Sequence, residues 1–293
     1  MRSSNPVFSR RGFSRDNGYA GFNAAPQAGG PAVGTQGNPY AQQGGNPYAQ
    51  NPYAQQGLQQ GAPPQAPVTT GRMTMDDVVM RSAMTLGTVV VGAVLAWALL
   101  PVSSTSYGLA IGSALVAFVL AMVQSFKRTA SPALIIGYAA FEGVFLGVIS
   151  EMYNAQWNGA PFQAVLGTMA VTGATLLVYK AGWIRVTARY ARIGLTIAIA
   201  FVAVMAVNLL LVVFGVAPDG GLRSSGPLGA IVGILAILIG AFFLTLDFKQ
   251  IEDGITYGAP KEEAWLAAFG LTMTLVWIYI EMLRLVAIFS GRD

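Results

Sequence analysis

Neither cysteine nor histidine occurs among the 293 residues of this chain. The first absence removes disulfides and thiolate chemistry. The second removes the usual near-neutral switch, the commonest metal ligand and the commonest general base. Any response to pH must then rest on carboxylates. Charge is scarce too: 10% of the residues are Asp, Glu, Lys or Arg, against about 25% in a soluble domain. Apolar residues take their place, at 54% of the chain with a mean hydropathy of +0.55. This is the composition of a membrane protein.

The missing residues also narrow the chemistry. Intramembrane serine proteolysis of the Ser–His kind needs a histidine. Intramembrane aspartyl proteolysis needs two aspartates and a GxGD motif, and the apolar runs hold one Asp and no such motif. No P-loop and no GxGxxG are present. The chain is therefore expected not to be an enzyme and to carry no cofactor.

Two regions of opposite character follow one another. Residues 1–72 are rich in Gly, Pro, Gln, Asn and Ala and repeat "NPYAQ" at 38–42, 46–50 and 51–55. Such a segment buries too little apolar surface to offset its ordering entropy, so a disordered tail is expected. It is either a docking tail with Tyr40, Tyr48 and Tyr53 as contact points or a passive solvated one. The start "MRSSNPVFSRRGFSR" is basic but has no apolar stretch behind it, so a signal peptide is not expected.

Residues 73–293 are a series of apolar runs. About 20 apolar residues cross about 30 Å of hydrocarbon, and seven runs qualify, at roughly 83–102, 107–126, 132–150, 164–180, 194–216, 228–248 and 265–289. Backbone groups inside lipid must be satisfied within the segment, which selects helices over open strands. The expected fold is an all-α integral membrane protein, a seven-transmembrane-helix bundle behind a disordered N-terminal tail. Gly143 and Gly147 in the third span form a small-xxx-small pattern that suits close helix packing.

The basic residues give an orientation. Arg2, Arg10, Arg11, Arg15, Arg72 and Arg81 precede the first span, Lys127 and Arg128 follow the second, Lys180, Arg185, Arg189 and Arg192 follow the fourth, and Lys249 and Lys261 follow the sixth. The alternate loops hold only Arg223. By the positive-inside rule the N-terminus is cytoplasmic, in the cell (plasma) membrane. Basic charge thus marks topology, and the net charge of +4 is not read as nucleic-acid binding. Seven spans place the C-terminus outside. Arg284 and Arg292 pull the other way and keep open a re-entrant last helix.

Few ionisable residues fall inside the spans. Glu142 lies in "YAAFEGVFLGVIS", Asp247 at the cytoplasmic end of the sixth span, and Glu281 and Arg284 in "WIYIEMLRLVAIF"; Glu151 sits at the outer edge of the third span. An acid at the bilayer centre costs about 2.5–3.5 kcal/mol on insertion scales, so it usually faces the bundle interior and has a task. From the cytoplasmic side Glu142 lies about 15 Å deep and Glu281 about 25 Å. If Asp247, Glu142 and Glu281 all face inward, they form a ladder of carboxylates, an arrangement that selects cations. Oxygen ligands alone suit Ca²⁺ or protons. Each has a plainer reading. Glu281 and Arg284, spaced i,i+3, would neutralise one another, and Asp247 would snorkel to the interface beside Lys249.

With "LDFKQIEDG" after the sixth span, the tryptophan-led "EEAWLAAFGLTMTLVWIYIEMLRL" and "FEGVFLGVIS" in the third, residues 76–290 resemble the Bax inhibitor-1 family, in particular its bacterial YccA/YetJ-like branch. The resemblance implies a seven-helix bundle with a central last helix. It also implies a pH-sensitive Ca²⁺ leak gated by two aspartates, in the sixth and seventh helices. Asp247 matches the first. The second falls within Thr272, Met273 and Thr274, none of them acidic, with Thr272 and Thr274 as polar lining at that place. Glu281 or Glu142 is then the candidate partner of Asp247. Some relatives carry an arginine in the second helix, where this chain has Gln124 and no charge before Lys127.

Two functions are expected to compete. One is a pH-sensitive cation leak or exchanger, Ca²⁺ preferred, gated by intramembrane carboxylates, with Ca²⁺ or H⁺ as the passing ion. The other is a regulatory membrane protein that transports nothing. It would bind a membrane protease or stress-response partner through its N-terminal tail.

Overall fold

The polypeptide enters its first helix through a capping box. Thr74 Oγ1 accepts from the Asp77 amide at 3.2 Å while the Asp77 carboxylate accepts from the Thr74 amide at 3.2 Å, satisfying two of the free amides that every helix start leaves. With Asp76 and Asp77 in its first turn, this helix begins at Met75, eight residues before the apolar run alone indicates. The computed structural model describes residues 71–127 and 129–291, with backbone only at 218 and 219. These residues belong to one compact unit, Pro67–Asp293. The tail with its NPYAQ repeats, up to residue 70, and Arg128 and Arg292 lie outside the described residues.

Seven helices follow: α1 Met75–Leu99, α2 Ser104–Phe126, α3 Pro132–Gln156, α4 Ala160–Lys180, α5 Ala188–Val213, α6 Pro227–Thr256 and α7 Glu263–Ser290, with a 3₁₀ turn Pro218–Arg223 before α6. Each of the seven is long and apolar enough to cross a membrane. Among the described residues no strand forms; an isolated bridge pairs Arg72 with Pro260. Helix α7 runs unbroken for 28 residues, about 42 Å at 1.5 Å per residue, so it has the length of a full span rather than a re-entrant hairpin. Helix α6 extends to Thr256, past the apolar run, because Lys249 pairs with Asp253 one turn on at 2.8 Å.

Helix α7 is the centre of the bundle, in line with the resemblance. It packs against α1, α3, α4 and α6, whereas α2 packs on α3, and α5 packs on α6 and the 3₁₀ turn and reaches α7 through Phe201 against Trp277. Ala264, Ala267 and Ala268 keep its first turns thin and buried. Phe269 meets Tyr138 of α3 edge to face at 5.2 Å. Successive helices reverse direction. One end of the bundle therefore holds the start of α1 and the α6–α7 loop, joined by the Lys261–Asp77 ion pair at 3.0 Å and by Arg81 donating to the Lys261 carbonyl. We call this the Lys261 end. The opposite end holds the 3₁₀ turn, the start of α6 and the close of α7.

The small residues of α3 face α1. A Cβ at Gly143 would run into the Val89 carbonyl oxygen and one at Gly147 into that of Ala93, with Ala96 Cβ 2.8 Å away. The two backbones touch only because both side chains are absent. Gly147→Ala is expected to cost about 1–3 kcal/mol by overpacking. Gly112→Ala, where a Cβ meets nothing within 4 Å, should be neutral or stabilising by up to about 1 kcal/mol. Thermal unfolding of the two variants in detergent separates them.

Candidate functional site

Asp247 sits on α6 facing α7. Its Oδ2 accepts from Thr274 Oγ1 at 2.7 Å, and that hydroxyl also lies 3.1 Å from the Gly270 carbonyl oxygen. Gly270 permits the approach: a Cβ there would lie 3.2 Å from Asp247 Oδ1. The carboxylate thus rests against bare α7 backbone with one hydroxyl as its hydrogen-bond donor. Lys249 does not neutralise it, being taken by Asp253 at 2.8 Å and Glu252 at 3.6 Å. Among the described residues no Lys or Arg nitrogen comes within 4.0 Å of Asp247.

The position opposite Asp247, where the resemblance implies a second aspartate, is held by Thr274. Thr272, two residues earlier, points elsewhere: its hydroxyl bonds Thr85 Oγ1 of α1 at 3.0 Å and the Ala268 carbonyl at 2.7 Å, fully buried. Gln124 is likewise committed, donating to the Thr129 carbonyl at 3.2 Å and accepting from the Ser131 amide at 3.0 Å. It ties α2 to α3 and makes no hydrogen bond to Asp247.

Glu281 is in a different situation. It is buried, with Oε1 2.8 Å from Arg223 Nη2 and Oε2 3.2 Å from both Nε and Nη2 of Arg284. Arg284 Nη1 donates in turn to the Gly229 carbonyl at 3.2 Å. Arg284 Nη2 is close enough to count as an ion pair but is not aligned for a hydrogen bond. The i,i+3 neutralisation expected from the sequence is present, and a third member joins it. Arg223 reaches in from the 3₁₀ turn, although the sequence marks it only as the one cation in the alternate loops. Two arginines around one carboxylate give this cluster a net formal charge of +1.

Glu142 is half-buried on α3, and among the described residues no hydrogen bond or ion pair reaches it. Glu151, near the end of α3, has a buried Oε2 without a hydrogen-bond partner among those residues. The structure thus joins Asp247 to Thr274 and Glu281 to Arg223 and Arg284. It makes no direct contact between Asp247 and either Glu142 or Glu281. Among the described residues no three acidic side chains gather to hold a metal ion.

The cluster around Glu281 is tested by charge removal. Breaking a buried ion pair by deleting one partner costs about 3–5 kcal/mol, because the remaining charge is stranded, whereas removing both partners is often neutral. Glu281→Gln is therefore expected to lower the unfolding temperature sharply, and Glu281→Leu combined with Arg284→Met and Arg223→Met, which removes all three charges, to recover most of the loss.

No curated protein matches the chain. The family model described as Bax inhibitor 1 like matches residues 5–291. The match takes in the seven helices and also runs through the repeat-bearing segment, beyond the stretch on which the resemblance rests. On that match the chain belongs to the Bax inhibitor 1 like family.

Proposed function

We propose that this multi-pass membrane protein is a pH-responsive cation leak, Ca²⁺ preferred, and that Asp247 is its gating carboxylate. The observation that carries the reading is the isolation of Asp247. Its carboxylate lies between two spanning helices, held by a single hydroxyl, with no cation within 4.0 Å among the described residues. A purely structural acid in such a place gains a countercharge, as Glu281 does. Asp247 keeps its charge available for a passing ion.

The ligand count supports a leak over a storage site. Ca²⁺ takes about six to eight oxygens. Here Asp247, the Thr274 hydroxyl and the Gly270 carbonyl offer a small part of that shell, so water must supply the remainder. A partly hydrated ion held by one carboxylate is bound weakly enough to leave again. Glu142 is the second acid on the path in this reading, since no cation neutralises it. Glu281, enclosed by two arginines, acts as a structural lock. The ion is cargo, and the chain works without enzymatic chemistry or a resident cofactor. The family membership and the basic residues at the Lys261 end support a cytoplasmic N-terminus in the cell membrane.

Ca²⁺ entry into proteoliposomes across about pH 5 to 8 tests this. Ionised Asp247 attracts the cation and protonation removes that charge, so flux through the native protein is expected to fall as pH is lowered. Asp247→Asn should weaken that dependence, leaving what Glu142 contributes, and Glu142→Gln should reduce the flux most at the alkaline end of the range. Entry no greater than in empty vesicles at any pH would overturn the leak. It would favour a regulatory protein acting through residues 1–72, whose deletion then abolishes partner binding.

Thr274→Asp supplies a sharper test. It places a second carboxylate opposite the first, and two interacting acids release their protons in two steps rather than one. The fall in flux with acid is expected to gain a further step in this variant relative to the native protein.

A further inference from the structure

Helices α1 and α4 both flank α7 but do not pack against one another. At the Lys261 end the space between them is a cavity of about 870 Å³. Its walls are mostly apolar, with Val79 of α1, Leu176 of α4 and Phe248 of α6 among them, and three cations, Lys180, Arg185 and Lys249, line it with one acid, Glu252. Lys249 is occupied by Asp253 and Glu252, and Glu252 also accepts from Tyr179 at 2.5 Å. Lys180 and Arg185 are exposed and have no acidic partner within 4.0 Å among the described residues. Ser82, also in the wall, has a buried hydroxyl without a hydrogen-bond partner among those residues.

We infer that this cavity binds an anionic phospholipid of the surrounding bilayer. The gap lies between two membrane-spanning helices, so its apolar walls face acyl chains. Its cations stand at the helix ends, where a headgroup lies: Lys180 closes α4 and Arg185 follows it in the connection to α5. Trp183 between them is 82% exposed, as an aromatic anchor at the membrane–water interface is. The two unpaired cations give the charge complementarity that selects an anionic headgroup over a zwitterionic one. The Ser82 hydroxyl supplies a donor for an ester or phosphate oxygen reaching inward. The lining sets three cations against one acid and does not include Asp247, so it suits an anion.

The experiment is lipid retention by the purified full chain, read by native mass spectrometry from vesicles of phosphatidylcholine with or without phosphatidylglycerol. The native protein is expected to retain phosphatidylglycerol preferentially. The preference should drop about fivefold for each of Lys180→Gln and Arg185→Gln, the effect of one basic residue near an anionic surface. Leu176→Trp, which fills the cavity, should reduce retention of both lipids. Arg192→Gln, exposed on α5 and outside the lining, should leave the preference unchanged. Equal retention of the two lipids by the native protein, or an equal loss in Arg192→Gln, overturns the assignment. So does full displacement of the lipid by inorganic phosphate, which would mark a plain anion site. Retention is read without any transport measurement, so this result and that of the leak are separable.

Discussion

A polar side chain between membrane helices has to find its partner inside the protein, because hydrocarbon offers none. In this bundle those partners meet on α7. Thr272 bonds Thr85 of α1, Thr274 bonds Asp247 of α6, and Trp277 donates to the Ala236 carbonyl of α6 at 3.1 Å. Tyr279 pairs with Ser150 of α3 at 2.7 Å, and Glu281 holds Arg223 and Arg284. Over little more than three turns one helix is fastened to three others and to the 3₁₀ turn. Its central position follows from this polar spine as much as from apolar packing. Of the three helices without a share in it, α2 and α5 lie at the margin of the bundle, while α4 reaches α7 by apolar packing alone.

The two ends of that spine treat their acids in opposite ways. At Glu281 the carboxylate is outnumbered by arginines and buried. Two cations around it restrain three chain segments, the 3₁₀ turn, α6 through Gly229 and α7. At Asp247 a single hydroxyl donates among the described residues, and the α7 backbone it rests against at Gly270 carries no side chain. A hydrogen bond to a charged group is worth about 1.5–3 kcal/mol net, less than the cost of breaking a buried ion pair, about 3–5 kcal/mol. The first end therefore anchors the bundle, and the second is the contact between α6 and α7 that, in the proposed leak, a proton or a cation changes.

How much of this is legible in the sequence depends on which force sets each feature. The seven helices are legible because hydrocarbon thickness imposes one length on every apolar run. Their ends are less so: α1 starts in the charged "TMDD" and α6 continues through "KQIED", where capping and an i,i+4 ion pair extend a helix that hydropathy alone would stop. Asp247 stands out as a lone acid, yet its partner does not. Thr272 and Thr274 differ by about 200° around α7 at 3.6 residues per turn, and only the register between two antiparallel helices decides which one meets α6. The loop Tyr257–Glu262 sets that register, and no periodicity records it. Arg223 is hidden for the same kind of reason, since its reach to Glu281 spans 58 residues and depends on a turn between helices.

The substitution of a hydroxyl for a carboxylate opposite Asp247 has a consequence for selectivity. Two facing carboxylates within hydrogen-bond reach cannot both stay ionised near neutral pH, because like charges at that distance repel strongly, and they share a proton. Such a pair presents one charge to an ion and changes state as a unit. Asp247 with Thr274 also presents one charge, but the hydroxyl cannot take the negative charge over, so the charge is confined to α6. In the proposed leak a passing cation then meets a one-sided site, with the carboxylate on one wall and neutral hydroxyl and carbonyl oxygens on the other. A site of that kind favours ions that keep part of their water, since only one wall competes with the hydration shell. The chain thereby trades the paired-acid switch that the resemblance implies for a single carboxylate whose state depends on the helix it faces.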